Sequence, residues 1–363
     1  MDTFKFSSSM FKNGLEDKIA VKIEKSKAEV LRRRLKALNI IDEDFKPRFI
    51  DGYVYFPIKS REFLDLISDE YVFEVVRERF ERRGKKPRSL REALEKTLPR
   101  DLHHYIPSSI DLIGHIALID IPDPLKDYSG EVGRAVMMVY PHVKTVLSKE
   151  GGTIGDYRIR SFNMIAGSPI TETIYREHGC IYKLDLGKVF FNPRMSGERL
   201  RIALEVKDGE YVLDMFAGIG PFSILIAKKN PSARVVAVEL NPEAYRYLVE
   251  NIYLNKVSER VEAVRGDVRE VLRAHGGVFD RVIMDLPFRA LEFLDLALNN
   301  VKKYGIIHLY HVEEGENAID KASVKTVRIA EKMNIRLEVA YSRRVLEVAP
   351  RRFIIALDLL RRE

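Results

Sequence analysis

The stretch "VLDMFAGIGPFSI", residues 212–224, is the part of the sequence that decides the fold. An apolar run ends at Asp214, a turn with two glycines follows at Gly218 and Gly220, and a second apolar run begins after Pro221. A buried strand, a glycine loop and a helix, in that order, are typical of the first unit of an open α/β sheet. The sequence therefore predicts that this sheet begins just before Asp214.

The residues that follow repeat the alternation of strand and helix. The strand-like runs "RVVAVEL", "VEAVRGD" and "FDRVIMDLP" are followed by the helical segments "PEAYRYLVENIYLN", "VREVLRAH" and "RALEFLDLALNNV". Such alternation predicts a parallel sheet with helices on both faces. The tail "IRLEVAYSRRVLEVAPRRFIIALDLL" has two strand-like runs without a helix between them, which predicts a final antiparallel pair. We therefore expect a Rossmann-like α/β domain over residues 191–363.

Four acids end the predicted strands or follow them directly: Asp214, Glu239, Asp267 and Asp285. Ligands of open α/β sheets bind at the carboxyl ends of the strands. The glycine loop lacks the third glycine of the pyrophosphate fingerprint, and a carboxylate in front of it would repel a pyrophosphate. A nucleoside that carries positive charge and no phosphate fits better, and S-adenosylmethionine, with its ammonium and sulfonium groups, is such a ligand. A nucleotide-binding dehydrogenase is the alternative that this pattern disfavours.

The chain is too long, at 363 residues, for one ordinary core, and its pattern of charged and apolar residues changes along its length. Residues 1–60 are expected to form a small α/β N-terminal domain. Residues 61–106 are highly charged and are expected to form a helical linker interrupted by Gly84 and Pro87. Residues 107–190 contain strand-like runs with one helical segment, which predicts an α+β middle domain.

The composition narrows the class of protein. The 61 basic and 54 acidic residues give a net charge of +7, which is compatible with a polyanionic partner. The run "RERFERRGKKPR" (77–88) is either a solvated helix end or a patch that contacts phosphates. A single cysteine, Cys180, excludes an internal disulfide framework and a cysteine-rich zinc site, and no metal is expected. Charged residues make up 32% and glutamine is absent, as is typical of hyperthermophiles.

Neither a membrane span nor a secretory signal is expected. Charges interrupt the longest apolar runs well before they could cross a bilayer. The start "MDTFKFSSSMFKNG" lacks the basic-then-apolar layout of a signal peptide. The sequence therefore predicts a cytoplasmic protein.

Several motifs resemble those of the archaeal and eukaryotic tRNA (guanine37-N1)-methyltransferases. "DMFAGIGPFSI", "ELNPEAYRYLVENIYLN", "GDVRE" and "DLPFRALEFLDLAL" resemble their class I methyltransferase domain, and "FFNPRMSGER" (190–199) resembles the segment that precedes it. "IDLIGHIALIDIP" and "TETIYREHGCIYKLDLG" resemble their middle domain, and residues 17–57 resemble their small N-terminal module. The resemblance covers nearly the whole chain. It implies methyl transfer from S-adenosylmethionine to N1 of the guanosine beside the tRNA anticodon.

The resemblance also implies roles for individual residues. N1 of guanine carries a proton at neutral pH, so a general base must remove it, and a cation must stabilise the charge that develops on O6. Glu198 matches the family's general base, and Arg158 matches the arginine that stabilises O6. Arg160 competes with Arg158, because strand alternation places both on one face. Read alone, Glu198 is a first-turn helix acid, Arg158 a surface partner of Asp156, and Phe190 a core residue.

The expected site residues form three groups. The catalytic group comprises Glu198, Arg158, Asp285 and Pro287. The cofactor-binding group comprises Asp214, Phe216, Gly218, Gly220, Glu239, Asn241, Asp267 and Phe190. Within it, Glu239 is expected to bind the ribose hydroxyls and Asp267 the adenine amino group. The substrate-binding group comprises Arg160, Arg194 and Asn192.

The chain departs from the family at Asp285, because the family usually has Asn-Leu-Pro where this chain has Asp285-Leu286-Pro287. An ionised aspartate only accepts hydrogen bonds, whereas asparagine also donates them. Asp285 could share the role of base, or it could indicate a modified guanine as substrate. Some archaeal relatives methylate a carbon of the wyosine precursor at the same tRNA position, and others transfer an aminocarboxypropyl group to it. The Leu-Pro pair favours the methyl-transferring branch.

Two further alternatives belong to other classes of protein. A tRNA-binding module without activity would not need Asp214, Glu239 and Glu198 together. A methyltransferase of small molecules would leave the basic N-terminal half unexplained. The resemblance implies that the partner is tRNA, contacted at its anticodon stem-loop and elbow, and that the N-terminal domain over residues 1–60 binds this tRNA. It also implies that the protein is a monomer. The target base must leave its stack to reach the cofactor.

Overall fold

A computed structural model describes residues 15–62, 64–84, 87–154, 159–275 and 278–362 of the chain. The chain divides into two compact units, Met1–Pro87 and Arg88–Glu363. The division lies within the segment 61–106 that was expected to be a linker.

The N-terminal unit is a four-stranded sheet with a helix on one face. Its elements are β1 (Leu15–Glu24), α1 (Ala28–Ala37), β2 (Arg48–Ile50), β3 (Tyr53–Pro57), α2 (Asp65–Ser68) and β4 (Glu74–Glu81). The strand order is β2-β3-β1-β4, and every neighbouring pair is antiparallel. Leu31 and Leu35 of α1 lie in one buried cluster with Val21 and Ile23 of β1, which holds the helix to the sheet.

The prediction that residues 61–106 form a helical linker is wrong for residues 74–81. These residues form β4, which pairs with β1 from Leu15↔Glu81 to Lys22↔Glu74. The Arg and Glu residues favour a helix, but Val75 and Val76 are β-branched and Phe80 is fully buried between this strand and its neighbours. Pairing with a distant strand thus overrides the local helix propensity.

The second unit begins with a smaller sheet and its covering helices. Its elements are α3 (Leu90–Leu94), β5 (Ile110–Ile113), β6 (Ile116–Ile119), α4 (Ser129–Val139), β7 (Thr145–Ile154), β8 (Ile159–Gly167), β9 (Glu172–Glu177) and β10 (Cys180–Asp185). The sheet order is β5-β6-β7-β8, and β9 and β10 form a separate antiparallel hairpin. Helix α4 packs on β7 and β8. Short 3₁₀ helices at Arg100–Tyr105 and Asp123–Tyr128 complete this α+β part.

The remainder is the predicted Rossmann-like fold. Its elements are α5 (Ser196–Glu205), β11 (Tyr211–Asp214), α6 (Pro221–Lys229), β12 (Arg234–Glu239), α7 (Pro242–Leu254), β13 (Val261–Arg265), α8 (Val268–His275), β14 (Phe279–Met284), α9 (Leu294–Asn300), β15 (Val301–Glu314), α10 (Ala318–Lys332), β16 (Leu337–Ala349) and β17 (Arg352–Arg361). The sheet order is β13-β12-β11-β14-β15-β17-β16. Strands β11 to β15 pair in parallel, and β17 is antiparallel to both β15 and β16. This confirms both the α/β fold class and the antiparallel end of the sheet.

The topology determines where a site can form. The order reverses at β11, whose neighbours are β12 on one side and β14 on the other. The carboxyl ends of these three strands carry Glu239, Asp214 and the Asp285 segment, so they meet at the edge where such sheets bind ligands. Within the described ranges, no helix combines the length and apolar character needed to cross a membrane.

Because α4 packs on the smaller sheet, we expect alanine substitutions of two of its glycines to have opposite effects on the free energy of unfolding. A Cβ at Gly133 would lie 2.7 Å from Cβ of Ala166 in β8, whereas a Cβ at Gly130 would meet only the Arg134 Nη1 at 3.4 Å. We expect Gly133→Ala to destabilise the protein by about 1–3 kcal/mol through overpacking, less the gain in helix propensity. Gly130→Ala, the matched control, should stabilise it by up to about 1 kcal/mol. Urea unfolding measures both, and equal effects would contradict the close packing.

Candidate active site

The glycine loop is a tight turn that only glycine accommodates at its end. The Ala217 N–H donates to the Val238 carbonyl at 2.9 Å, and the Gly220 N–H donates to the Ala217 carbonyl at 2.8 Å. Gly218 and Gly220 have φ angles of +57° and +89°. A Cβ at Gly220 would lie 2.5 Å from Cδ1 of Leu248 in helix α7, and the positive φ angle strains any other residue at this position. The loop therefore brings bare backbone close to the end of β11.

Asp214 lies buried directly before this loop. The Ser223 hydroxyl donates to its Oδ2 at 2.6 Å, and its Oδ1 is buried with no hydrogen-bond partner among the described residues. Burial raises the pKa of Asp214 to about 7, opposed by the Ser223 hydrogen bond, and the nearby charges of Asp285 and Glu239 raise it further. An orphaned buried oxygen on an acid that ionises near neutral pH fits a cationic group of a ligand.

Glu239 is held by the backbone on both sides. The Gly218 N–H donates to its Oε2 and the Asn241 N–H donates to its Oε1, each at 2.7 Å. Burial raises the pKa of Glu239, and the backbone N–H groups oppose that effect. Each carboxylate oxygen can accept a second hydrogen bond, so Glu239 can accept from a diol while it fixes the glycine loop.

Asn241, expected to bind the cofactor, is used within the protein. Its Oδ1 accepts from the Glu243 N–H at 3.0 Å and so caps helix α7. Its Nδ2 donates to the Lys188 carbonyl at 3.0 Å, two residues before Phe190. The side chain is buried, and it ties the β12–α7 turn to the segment that leads into α5.

Phe216 and Arg269, the ion-pair partner of Asp267, both pack against the ring of Phe293. Arg269 donates through its Nε to Asp267 Oδ1 at 2.9 Å, and this hydrogen bond lowers the pKa of Asp267. The Arg269 guanidinium lies 5.3 Å from the centroid of Phe293, and Phe216 packs edge-on against the same ring at 5.1 Å. An adenine amino group would have to share the Asp267 carboxylate with Arg269.

Glu198, in the first turn of α5, is buried, with only 1% of its side chain exposed. Its Oε2 accepts from Arg201 Nε at 3.1 Å, from Arg201 Nη2 at 2.9 Å and from the Tyr310 hydroxyl at 3.1 Å. Its Oε1 lies 2.8 Å from Nε of Arg343 on β16, in an ion pair without hydrogen-bond alignment. Glu198 is therefore not a solvated helix-end acid. Its two oxygens differ, because only Oε1 is left without a hydrogen bond among the described residues.

Arg201 connects Glu198 to a chain of buried polar groups. Arg201 binds Asp358 through both terminal nitrogens, at 2.5 and 3.2 Å. His308 donates from Nδ1 to Asp358 at 2.6 Å and accepts on Nε2 from Arg281, also at 2.6 Å. Arg281 in turn binds Glu210 at 2.7 Å. Burial alone would raise the pKa of Asp358, but His308 and Arg201 lower it to about 2.

Burial lowers the pKa of His308 against the opposing effect of Asp358, so the ring is neutral at pH 7 with its proton on Nδ1. Sequence reasoning missed these groups. The signal was the single polar residue inside each apolar strand run, His308 in "GIIHLYHV" and Asp358 in "IIALDLL".

Asp285 follows β14 and acts on both halves of the site. Its charge contributes to raising the pKa of Asp214, and together with burial and Glu198 it contributes to raising that of Tyr310 well above the usual value. Two residues later, the Pro287 carbonyl accepts from the Val312 N–H at 2.8 Å and so attaches this turn to β15. Asp285 is therefore close enough to influence both Asp214, beside the glycine loop, and Tyr310, beside Glu198.

The segment before α5 is fixed by a second buried ion pair. Arg199 binds Glu177 through Nε at 2.6 Å and Nη2 at 2.8 Å, and it donates to the Asn192 carbonyl at 3.1 Å. Asn192 Oδ1 caps a short helical turn by accepting from the Arg194 N–H at 3.0 Å. The exposed Arg194 side chain binds Asp111 at 2.6 Å. Asn192 and Arg194 thus both make internal contacts.

Three expected residues have less distinctive surroundings. Phe190 is half-buried. Arg160 lies on β8, and its Nε is buried without a hydrogen-bond partner in the described part of the chain. Arg158 and its alternative partner Asp156 lie outside the described residues.

Comparisons with known proteins give matches to related proteins along most of the chain. Three family models match, described as the tRNA methyltransferase 5 N-terminal domain at residues 20–63, the TYW2 N-terminal domain at 90–171 and the TRM5/TYW2 methyltransferase domain at 173–338. Trm5b of Pyrococcus abyssi, a tRNA (guanine(37)-N(1))-methyltransferase, is 40% identical over 345 residues, which cover 94% of this chain and 98% of that one.

Two further matches are a relative named for a different substrate and a solved structure of a relative with tRNA. Taw21 of Saccharolobus solfataricus, a tRNA 4-demethylwyosine(37)-methyltransferase, is 36% identical over 252 residues, which cover 69% of this chain and 92% of that one. A solved complex of aTrm5 and tRNALeu matches with a TM-score of 0.68 at 34% identity, and the match covers 94% of this chain and 99% of that one. The motifs, the sheet order and these matches together show that the chain belongs to the TRM5/TYW2 methyltransferase family.

Proposed function

We propose that this protein transfers a methyl group from S-adenosylmethionine to N1 of guanosine 37 of tRNA. The observation that carries the proposal is the environment of Glu198, a buried carboxylate with one oxygen fully engaged and the other free of hydrogen bonds among the described residues. Family membership supplies the substrate class, because Trm5b of Pyrococcus abyssi is a tRNA (guanine(37)-N(1))-methyltransferase and matches 94% of this chain.

The residues around the glycine loop suit S-adenosylmethionine. Asp214 has a buried oxygen without a hydrogen-bond partner, which fits an ammonium group, and Glu239 can accept from ribose hydroxyls. Gly218 and Gly220 let the backbone come close, Asp267 is the residue proposed for the adenine amino group, and Phe216 is proposed as a further cofactor contact. When bound, the cofactor supplies an electrophilic methyl group on its sulfonium. The protein's own groups orient it and exclude pyrophosphate ligands.

Glu198 is the base for the N1 proton. Its Oε2 is held in place by Arg201 and Tyr310, so Oε1 is the oxygen that can accept the proton. The buried polar chain behind Arg201 prevents the carboxylate from turning, because every member of the chain has a fixed partner. Arg158 is assigned to O6 by resemblance, and Arg160, with its unpaired Nε, is the competing candidate.

The partner is tRNA, and we assign tRNA binding to the parts of the chain that precede α5. A relative with the same fold has been solved with tRNALeu. In the N-terminal unit, the edge strand β4 carries Arg77 and Arg79, and Arg79 is exposed beside Asp17. Such arginines suit contacts to the phosphate backbone at the tRNA elbow, while the middle sheet and the Arg160 strand face the anticodon stem-loop in this proposal. A monomeric state and a cytoplasmic location stay predictions.

Asp285 supports a second candidate substrate. The carboxylate replaces the family asparagine, and a relative that acts on 4-demethylwyosine 37 is 36% identical over 69% of this chain. An acceptor at this place suits a modified guanine whose edge differs from that of guanine itself. The wyosine precursor, as acceptor of a methyl or an aminocarboxypropyl group, is therefore the alternative.

The first prediction is the product. Unmodified tRNA transcripts with G at position 37, incubated with the enzyme and S-adenosylmethionine, should yield N1-methylguanosine on digestion and mass spectrometry. Transcripts with A at position 37 are the matched control and should yield none. Turnover only on tRNA that carries the wyosine precursor would overturn the proposal in favour of the second candidate.

The second prediction concerns the base. Glu198→Gln should lower kcat by about 10²- to 10⁴-fold, because glutamine keeps the shape but cannot take a proton. Binding of S-adenosylmethionine and tRNA, measured by calorimetry and filter binding, should change little, and the thermal midpoint should confirm folding. Activity within a few-fold of wild type would assign the base role to Asp285, and Asp285→Asn should then be the inactive variant.

The third prediction concerns Asp214. With a pKa of about 7 in the folded protein, this acid is mostly protonated at pH 6 and mostly ionised at pH 7.5, whereas it ionises near pH 4 when unfolded. Its contribution to stability therefore falls as pH rises from about 4 through 7, while its attraction for an ammonium rises. The affinity for S-adenosylmethionine should increase about eightfold from pH 6 to pH 7.5, in step with the ionised fraction of Asp214, measured by calorimetry.

Asp214→Asn is the control for that measurement. It should bind the cofactor more weakly and lose most of the pH dependence. Any dependence left in the variant would belong to Glu239, whose pKa burial also raises. A wild-type affinity that stays within twofold over this range would show that Asp214 does not pair with the ammonium.

A further inference from the structure

Arg343 and Glu198 form an ion pair that leaves both of its atoms unsatisfied. The Arg343 Nε lies 2.8 Å from Glu198 Oε1, but its hydrogen does not align with that oxygen. Both atoms are buried, and neither has a hydrogen-bond partner among the described residues. Buried polar atoms without a hydrogen bond are uncommon, and two side by side indicate a place prepared for a ligand that satisfies both.

A ligand that satisfies both atoms must offer a hydrogen-bond donor next to an acceptor. Oε1 of Glu198 needs a donor, and the Nε–H of Arg343 needs an acceptor at the adjacent position. N1–H and O6 are neighbours on the Watson–Crick edge of guanine, and they are a donor and an acceptor in that order. This edge therefore complements the Glu198–Arg343 pair, on the condition that the proposed function is correct.

The surroundings decide which cation can fill this role. Arg201 is fully used, because it binds Glu198, Glu205 and Asp358 at once. Arg343 is different, since 42% of its side chain is exposed while Glu198 is covered. It lies on β16, at the antiparallel end of the sheet, and its Nε makes no hydrogen bond within the described part of the chain. Arg343 is thus a partly exposed cation beside a buried carboxylate that Arg201 and Tyr310 hold in place.

We propose that Arg343 is a further catalytic residue, which covers Glu198 in the free protein and, alongside the arginine that the resemblance assigns to O6, donates to the second lone pair of guanine O6 when N1 loses its proton. The N1–H bond breaks as the Oε1–H bond forms, and the electron pair stays on the guanine, spread over N1 and O6. N1 then bonds to the methyl carbon while the sulfonium takes the electrons of the broken carbon–sulfur bond. Glu198 releases its proton to solvent afterwards.

The position of the negative charge explains why Arg343 can act both before and after the proton moves from N1 to Glu198. Before the transfer the negative charge lies on Glu198, beside Arg343. After the transfer Glu198 is neutral and the charge lies on the guanine edge. The guanidinium stays next to the charge with only a small movement, so little reorganisation accompanies the step.

The test compares Arg343→Ala with Arg344→Ala, the next residue of the same strand. Arg344 points to the other face, where it lies over the Phe353 ring and donates to the Glu316 carbonyl. We expect Arg343→Ala to lower kcat about 10²- to 10³-fold, with KM for tRNA changed less than about threefold. Guanidinium ion in the assay should restore part of the activity, and Arg344→Ala should stay within about threefold of wild type.

Three outcomes would overturn the inference. A raised KM for tRNA with unchanged kcat would make Arg343 a phosphate contact, and wild-type kinetics would give it no role. A loss of kcat without guanidinium rescue, or shared with Arg344→Ala, would indicate a structural role. In all three cases the wild-type enzyme still produces N1-methylguanosine, whereas its failure to do so would instead reject the proposed function itself.

Discussion

The site depends on one constraint, the burial of the Glu198 carboxylate. A charge out of water is costly unless it is paired and hydrogen-bonded, and an unpaired one would not remain ionised. Glu198 is compensated by Arg201 of its own helix, by Tyr310 of β15 and by Arg343 of β16. Two of these three partners come from the last strands of the sheet. The C-terminal strands thus complete the environment of Glu198, the proposed base, as well as extending the sheet.

The two central acids have opposite surroundings. Asp214 has one hydroxyl partner and no cation within hydrogen-bond distance among the described residues, so burial dominates and its pKa rises to about 7. Asp358 is also buried, but His308 and Arg201 outweigh the burial and its pKa falls to about 2. Asp358, which is ionised at neutral pH, anchors the chain of groups behind Glu198, while Asp214 at the glycine loop is the acid proposed to pair with a cationic ligand. Environment assigns the two roles, since the side chains are identical.

The sequence predicted those features that follow from local pattern. The alternation of strand and helix gave the parallel sheet, and the acids at strand ends marked the ligand edge. Strand β4 was missed because its Arg and Glu residues favour a helix until β1 pairs with them. Asn241 was assigned to the cofactor, although the Asn-Pro-Glu sequence at 241–243 is also the start of a helix, where asparagine acts as cap.

The support of Glu198 could not be predicted, because it joins residues that are far apart in the chain. Tyr310 is 112 residues away from Glu198, and Asp358 is 157 residues away from Arg201. Periodicity shows that His308 and Asp358 lie in buried strands, but not which strands are neighbours. The order β14-β15-β17 brings Arg281, His308 and Asp358 next to one another across three strands. Only the sheet order turns three separate polar residues into one connected chain.

The origin of the base also explains how one fold can serve related reactions. The groups proposed for the cofactor come from the carboxyl ends of β11, β12 and β13, within the repeating part of the fold. Glu198 comes from α5, which precedes that part, and Arg343 comes from β16, which follows it. The two elements that would contact the target base can therefore change without altering the glycine loop. Asp285 raises the pKa of both Asp214 and Tyr310, so the charge at this position links the residues proposed for the cofactor with those around Glu198.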